Sequence, residues 1–285
     1  MRVLFIFTQR EIMRFFKVPN IILIFFITLS SFSQENVKNM YIDEDFIEID
    51  SIQYSNKCEL DIYKCFGYRK DTIKINKVLN KYAFGQLSKT ELEQIKLVLK
   101  RDSNIIIEPD NSIIIKYIDS LFSFKTVKKR NESYRKKLEK KYKYYTYKPF
   151  TKKRYDSNLE KGTKHKNKCV NKYKKNYSVD ILHMYRYAEN SLEEYNYHNF
   201  IKDENVLKHR FFNSIYNYHL LIIKPNGNYF LSGVRLKDKY VNRLLKKDDW
   251  NPFLKDLIIS KQVHPKYGYG FFKRPNPNFN KKTCF

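Results

Sequence analysis

The chain has 285 residues, of which 42% are hydrophobic and 16% aromatic, and it carries a formal net charge of +26. That apolar and aromatic content excludes a wholly disordered chain, and only 7 Gly and 8 Pro exclude a fibrous or low-complexity class. Four cysteines in a chain of this length exclude a disulfide-dense scaffold, and the length allows one large or two small domains with a real core.

The chain begins with the layout of a secretory signal peptide. Arg2, Arg10, Arg14 and Lys17 form a basic region, residues 21–29 a short apolar one, and Ser31 and Ser33 precede a cut that leaves Gln34 as the new N-terminus. This reading assigns 1–33 to a leader and the mature protein to the periplasm, cell surface or exterior. The competing reading is an uncleaved anchor over 15–32; Lys17, Pro19 and an apolar run shorter than about 20 residues weaken it.

Residues 34–87 read as an acidic, helical extension. Phe46, Ile47 and Ile49 suggest a short strand, and Asp71 is placed to cap a helix carrying Ile75, Val78, Leu79 and Tyr82 that stops at Gly85. Ser88 and Glu91 then match a capping box, with Leu87 and Leu92 at the staple positions and Ile95, Val98 and Leu99 continuing the stripe. Runs at 105–107 and 113–117, separated by Pro109, Asp110 and Asn111, predict a hairpin. Residues 126–145 predict a basic helix with few apolar positions, and 146–177 a Lys-, Asn- and Tyr-rich loop.

Val179, Ile181 and Leu182 predict a buried strand, while 188–200 has no single reading. Asp203 is placed to cap a helix with Leu207, Phe211 and Phe212. The strongest signal follows: an apolar run at 220–223, the turn Lys224-Pro225-Asn226-Gly227, and a second run at 229–231. Proline presets φ at the second turn position and glycine closes the turn. Asp238 is placed to cap a helix with Val241, Leu244 and Leu245. Asn251-Pro252 starts another through Leu254, Leu257 and Ile258. The tail, 264–285, reads as irregular around Gly268, Gly270, Pro275 and Pro277.

Charge is concentrated. Residues 125–177 hold 21 basic and 4 acidic side chains, net +17. The candidate polyanion-binding residues are Lys128, Lys129, Arg130, Arg135, Lys136, Lys137, Lys140, Lys141 and Lys143 in the first half. Lys152, Lys153 and Arg154 follow in the second. Tyr142, Tyr144, Tyr145, Tyr147 and Tyr155 lie among them, a composition that neutralises phosphates and stacks on rings. With export, the expected partner is an anionic polymer or membrane surface, and no specific nucleic acid.

Four cysteines in an exported chain allow three pairings. Cys58 with Cys65 is the local choice, and Cys169 with Cys284 would tie the basic segment to the tail. The histidines, His165, His183, His198, His209, His219 and His264, show no zinc spacing. His209 and His219 with Lys208 would suit acid–base chemistry in a secreted phosphodiesterase or ribonuclease. Acidic pairs at 193–194, 203–204 and 248–249 fit helix ends. No phosphate loop or nucleophile elbow is present, and no cofactor is implied.

From residue 88 the predicted order is helix, strand, basic helix, strand, helix, strand, turn, strand, helix, over a domain spanning 88–263. With 125–177 as an insertion, this order resembles a thioredoxin-like domain. Residues 219–233 resemble the penultimate hairpin of secreted thiol-disulfide proteins. The resemblance implies an α/β fold with a central sheet flanked by helices; another α+β arrangement is the alternative. The family's Cys-x-x-Cys falls where this chain has Ser120-Leu121-Phe122-Ser123, and its cis-proline falls in 214–218, which holds no proline. Thiol exchange needs a thiolate, so the resemblance implies architecture without that chemistry. The sequence thus points to a non-catalytic binding protein of the envelope or exterior, with the hydrolase as alternative.

Overall fold

The isoleucine-rich run that begins at Ile113 occupies the middle of a six-stranded sheet, and most of the core is laid on its two faces. The structure, a computed structural model, describes residues 38–142, 148–189, 200–213, 217–262, 268–273 and 283–285. The predicted leader, Lys143 with its neighbouring tyrosines, His198, His264 and the 193–194 acidic pair lie outside the described residues. Among the described residues no helix is long and apolar enough to cross a membrane.

The chain divides into two compact units. The described part of the first comprises 38–49 and Phe66–Lys77. It contains β1 (Lys38–Ile42), β2 (Glu48–Ile49) and the outer parts of β3 (Tyr63–Lys70) and β4 (Ile73–Asn80), in the mixed order β2-β1-β4-β3. β1 runs parallel to β4, with Met40 opposite Ile75. Asp43 ties the turn between β1 and β2: its Oδ1 accepts from the Asp45 and Ile47 amides at 3.0 and 2.9 Å.

The second unit comprises Asp50–Cys65 and Val78–Phe285. It contains α1 (Ser51–Glu59), β5 (Tyr82–Gln86), α2 (Lys89–Ser103), β6 (Ser112–Leu121), α3 (Phe124–Lys141), α4 (Lys152–Asn176), β7 (Val179–Ala188) and β8 (Phe200–Lys202). α5 (Val206–Arg210), β9 (Leu220–Ile223), β10 (Asn228–Ser232), α6 (Asp238–Lys246), α7 (Asn251–Gln262) and a 3₁₀ turn at Gly270–Phe272 complete it. The sheet order is β5-β10-β9-β6-β7-β8. β6, β7 and β8 are parallel, and β9, β10 and β5 join by antiparallel pairing.

Side chains alternate across the sheet, as strand geometry requires. On one face Ile114, Ile181, Leu220, Ile222 and Phe230 pack with Cys169 and Tyr173 of α4, Val241 and Leu244 of α6, and Trp250. On the other, Ile113, Ile115, Tyr117, Leu182 and Met184 pack with Leu92, Ile95 and Leu99 of α2 and with Leu207, Phe211 and Phe212. Burying each such isoleucine or leucine contributes about 1.5–3 kcal/mol.

The β9–β10 hairpin forms as its sequence dictates. Gly227 has φ +86°, and a Cβ there would come within 2.5 Å of the Leu87 carbonyl. The turn is clamped to α6: the buried Lys224 ammonium donates to the Leu245 carbonyl at 2.8 Å, near the helix end where positive charge is favoured. α2 starts at Ser88 with the predicted capping box, and Asn104 closes it in the left-handed conformation. Asp203 caps the start of α5, accepting from the Leu207 and Lys208 amides at 3.1 and 2.8 Å.

Several expectations are corrected. Residues 71–85 are not a helix. Asp71 sits in the β3–β4 turn with φ +52°, and β4 and β5 follow. Ile75, Val78, Leu79 and Tyr82 fit helical spacing, but Ile73 and Ile75 fit period two, and pairing with β1 on the sheet decides for strand. Phe46 and Ile47 belong to the turn before β2. Residues 105–107 form no strand, because both edges of β6 are taken by β7 and β9. The predicted loop at 146–177 is the 25-residue helix α4, capped by Thr151. Its buried residues are Tyr155, Cys169 and Tyr173, too widely spaced among lysines to show a stripe. In α7 the inward face is Phe253, Leu257 and the buried Ser260, while Leu254 and Ile258 are exposed. The tail is not wholly irregular: Phe271, Phe272, Cys284 and Phe285 are all core residues.

Candidate functional site

α3 and α4 carry the predicted basic residues, and an aromatic cluster holds their adjoining ends together. The Phe124 ring lies 6.2 Å from Phe150 and 5.6 Å from Tyr155, and the Tyr155 hydroxyl donates to the Phe122 carbonyl at 3.1 Å. Ser123 caps α3 by accepting from the Thr126 amide at 3.3 Å.

α3 holds nine basic and two acidic residues, net +7. Phe124, Val127, Asn131 and Leu138 form a half-buried stripe at helical spacing, and no residue of the helix is fully buried. The two acids pair with cations flanking that stripe, Glu132 with Lys128 at 3.9 Å and Glu139 with Arg135 at 2.5 Å. Lys129, Lys136, Lys137 and Lys140 point away from the stripe into solvent and make no ion pair among the described residues. Their field is therefore uncompensated on that side of the helix.

The remaining predicted cations have other surroundings. Arg130 stacks on the Phe122 ring at 3.6 Å and Lys141 lies 5.4 Å from Tyr142. At the start of α4, Lys152 pairs with Asp156 at 3.1 Å and lies over the Tyr155 ring; Lys153 and Arg154 are exposed. The lysines brought to one open face are thus those of α3.

Disulfides join Cys58 to Cys65 and Cys169 to Cys284. The first links α1 to β3. The second fixes α4 to the C-terminal segment, where both cysteines are buried.

The two histidines considered for acid–base work do not hydrogen-bond to each other. His209 is exposed on α5 and His219 is half-buried just before β9. Lys208 turns instead to Asp119, at 2.6 Å, and this bond is the main reason the Asp119 carboxyl lies below its ordinary range.

The serine that caps α3 also meets a carboxylate. Ser123 donates through both its amide and Oγ to Glu189 Oε2, each at 2.9 Å, and Thr126 donates to Oε1. These bonds, that of Thr126 first, hold the Glu189 carboxyl below the usual range.

Sequence reasoning passed over Lys116 and Lys166, two lysines that burial holds below the ordinary lysine range. The available signal was Lys116 itself, a lysine set into the apolar run Ile113-Ile114-Ile115-Lys116-Tyr117-Ile118. No protein-family model, no curated protein and no solved structure matches the chain.

Proposed function

We propose that this is an exported, non-catalytic binding protein of the envelope or exterior that holds anionic polymers on the solvent side of α3. One observation carries the reading. Both acids of α3 are consumed by flanking cations, which leaves Lys129, Lys136, Lys137 and Lys140 unopposed on one side. Clustered exposed lysines gain affinity by releasing counterions from a polyanion. Phe124, Val127 and Leu138 lie on the inward stripe of α3 and Tyr134 is its one exposed large apolar residue, so the helix lacks the broad exposed apolar face with which an interfacial helix enters a bilayer. A polymer is therefore favoured over a membrane surface.

The architecture we propose for the second unit is a degenerate thioredoxin-like one. In support, the parallel strands β6 and β7 are joined through helices, and β9, its turn, β10 and α6 follow in the same sheet-and-helix unit. Serine, not a thiol, opens α3, which accords with a binding role. The two disulfides accord with an oxidising compartment.

The test is chromatographic. The mature protein should be retained on heparin resin at low salt and elute in moderate salt. Flow-through at low ionic strength overturns the reading. Binding to anionic lipid vesicles with no retention on heparin would place the function at a membrane instead.

A further inference from the structure

The C-terminal end of α4 opens on a cleft of about 460 Å³ beside the amino ends of β6 and β7. That volume is in the range of small-molecule sites. Three segments meet there. The Ser112 amide donates to the Ser178 carbonyl at 2.9 Å, which draws the turn before β6 against the connection from α4 to β7.

The cleft presents acceptors and donors side by side. The last carbonyls of a helix have no partner within it and point along the axis past its C-terminal end. Those of Lys174, Lys175 and Asn176 make no hydrogen bond among the described residues. Next to them stands the Asp180 carboxylate, only 13% exposed. Its Oδ2 accepts from the Asn111 side-chain amide at 2.9 Å, and its Oδ1 lies 3.7 Å from the Lys174 ammonium. The donors are the Lys174 and Lys175 ammoniums and the second N–H of Asn111. Tyr177 adds an aromatic ring, held by stacking on Tyr173 at 5.7 Å.

Acceptors alone would suit a cation, and donors alone an anion. Both interleaved suit hydroxyl groups, each of which donates one hydrogen bond and accepts others. A ring such as Tyr177 offers an apolar body beside a polar tip, matching the alternating C–H and O–H surface of a sugar. The charge narrows the class. Asp180 offsets Lys174, and Lys175 makes no ion pair among the described residues, so the lining keeps one positive charge. We propose that this cleft binds a pyranose unit bearing one carboxylate, a uronic acid. Its hydroxyls meet Asp180, Asn111 and the helix-end carbonyls, and its carboxylate meets Lys175. A free sugar acid and a residue of an acidic polysaccharide offer the same chemistry. The cleft uses none of the α3 lysines, so either site can fail while the other stands.

The test is calorimetric titration of the full mature chain in about 0.5 M NaCl, where attraction to the α3 lysines is screened to a few ångströms. The ligands are glucuronate, glucose, acetate and an unsulfated hyaluronan tetrasaccharide. Glucuronate should give a saturable single-site heat, glucose should bind several-fold more weakly, and acetate should give no saturable heat. A tetrasaccharide that binds more tightly than glucuronate identifies a polysaccharide as the source; equal or weaker binding identifies the free sugar acid. Asp180→Asn should weaken glucuronate about tenfold or more, as loss of hydrogen bonds to a charged group would. Lys175 is exposed, so Lys175→Gln tests the cleft even if Asp180→Asn unsettles the fold. It should bring glucuronate down to the affinity of glucose and leave glucose unchanged. Absence of saturable heat with both glucuronate and the tetrasaccharide overturns the proposal. So does a parent that binds glucose or acetate as tightly as glucuronate, or unchanged glucuronate binding in Lys175→Gln.

Discussion

The two disulfides close loops of very different size, which makes their relative worth a test of how the second unit is held. Cys58 and Cys65 are 7 residues apart in sequence, and Cys169 and Cys284 are 115 apart. If a cross-link acts by restricting the unfolded chain, the short loop is worth about 2 kcal/mol and the long one about 4–5 kcal/mol. Both bridges lie in the same unit, so one unfolding transition reports on both. The variants are Cys58→Ala/Cys65→Ala and Cys169→Ala/Cys284→Ala, compared with the parent by urea unfolding followed by circular dichroism. The second pair should lower the midpoint more, and it should raise the dependence on urea as the unfolded chain expands. At roughly 2–4 °C per kcal/mol for a chain of this order, the long-loop variant should melt on the order of 10 °C or more below the parent. Equal losses, or a larger loss for the short loop, would refute the chain-entropy reasoning.

Other sites give sharper local outcomes. Asp203 is buried and accepts from the Tyr117 hydroxyl at 2.9 Å as well as from two amides of α5, so Asp203→Ala strands three donors and should cost about 3 kcal/mol; a loss below about 1 kcal/mol in urea unfolding would contradict it. Ser88→Ala removes the α2 cap and should cost about 1 kcal/mol, read by the same assay. His219 resists protonation in the fold. Its contribution to stability is therefore complete above the unfolded histidine value near ~6.5 and is lost as pH falls through the lower folded value. His219→Asn should flatten the decline of stability as pH falls below roughly 6.5, and a variant as pH-dependent as the parent there would oppose this assignment.

Legibility in the sequence followed the density of local signals. The β9–β10 hairpin and α2 each had apolar spacing, a turn or cap, and a stop that agreed, and both formed as read. The stretch from Asp71 to Gly85 failed because its apolar residues satisfy periods of both two and 3.6, and only the neighbouring strand decides between them. α4 failed because its buried face rests on Tyr155, Cys169 and Tyr173, with lysine stems between them. The cations of α3 were visible as composition, whereas the side they share, and the pairing of Glu132 and Glu139 away from it, emerged only from the helix. The bond from Lys116 to the Cys284 carbonyl joins residues far apart in sequence and leaves no mark in local spacing.

Counterion release gives the proposed function a number. Binding of the mature protein to heparin, measured across a salt series, should give log K falling linearly with log[NaCl]. Converting Lys129, Lys136, Lys137 and Lys140 to Gln should reduce the magnitude of that slope by about 3, at roughly 0.7–0.9 per cation removed. A slope unchanged by the four substitutions would contradict binding through the solvent side of α3.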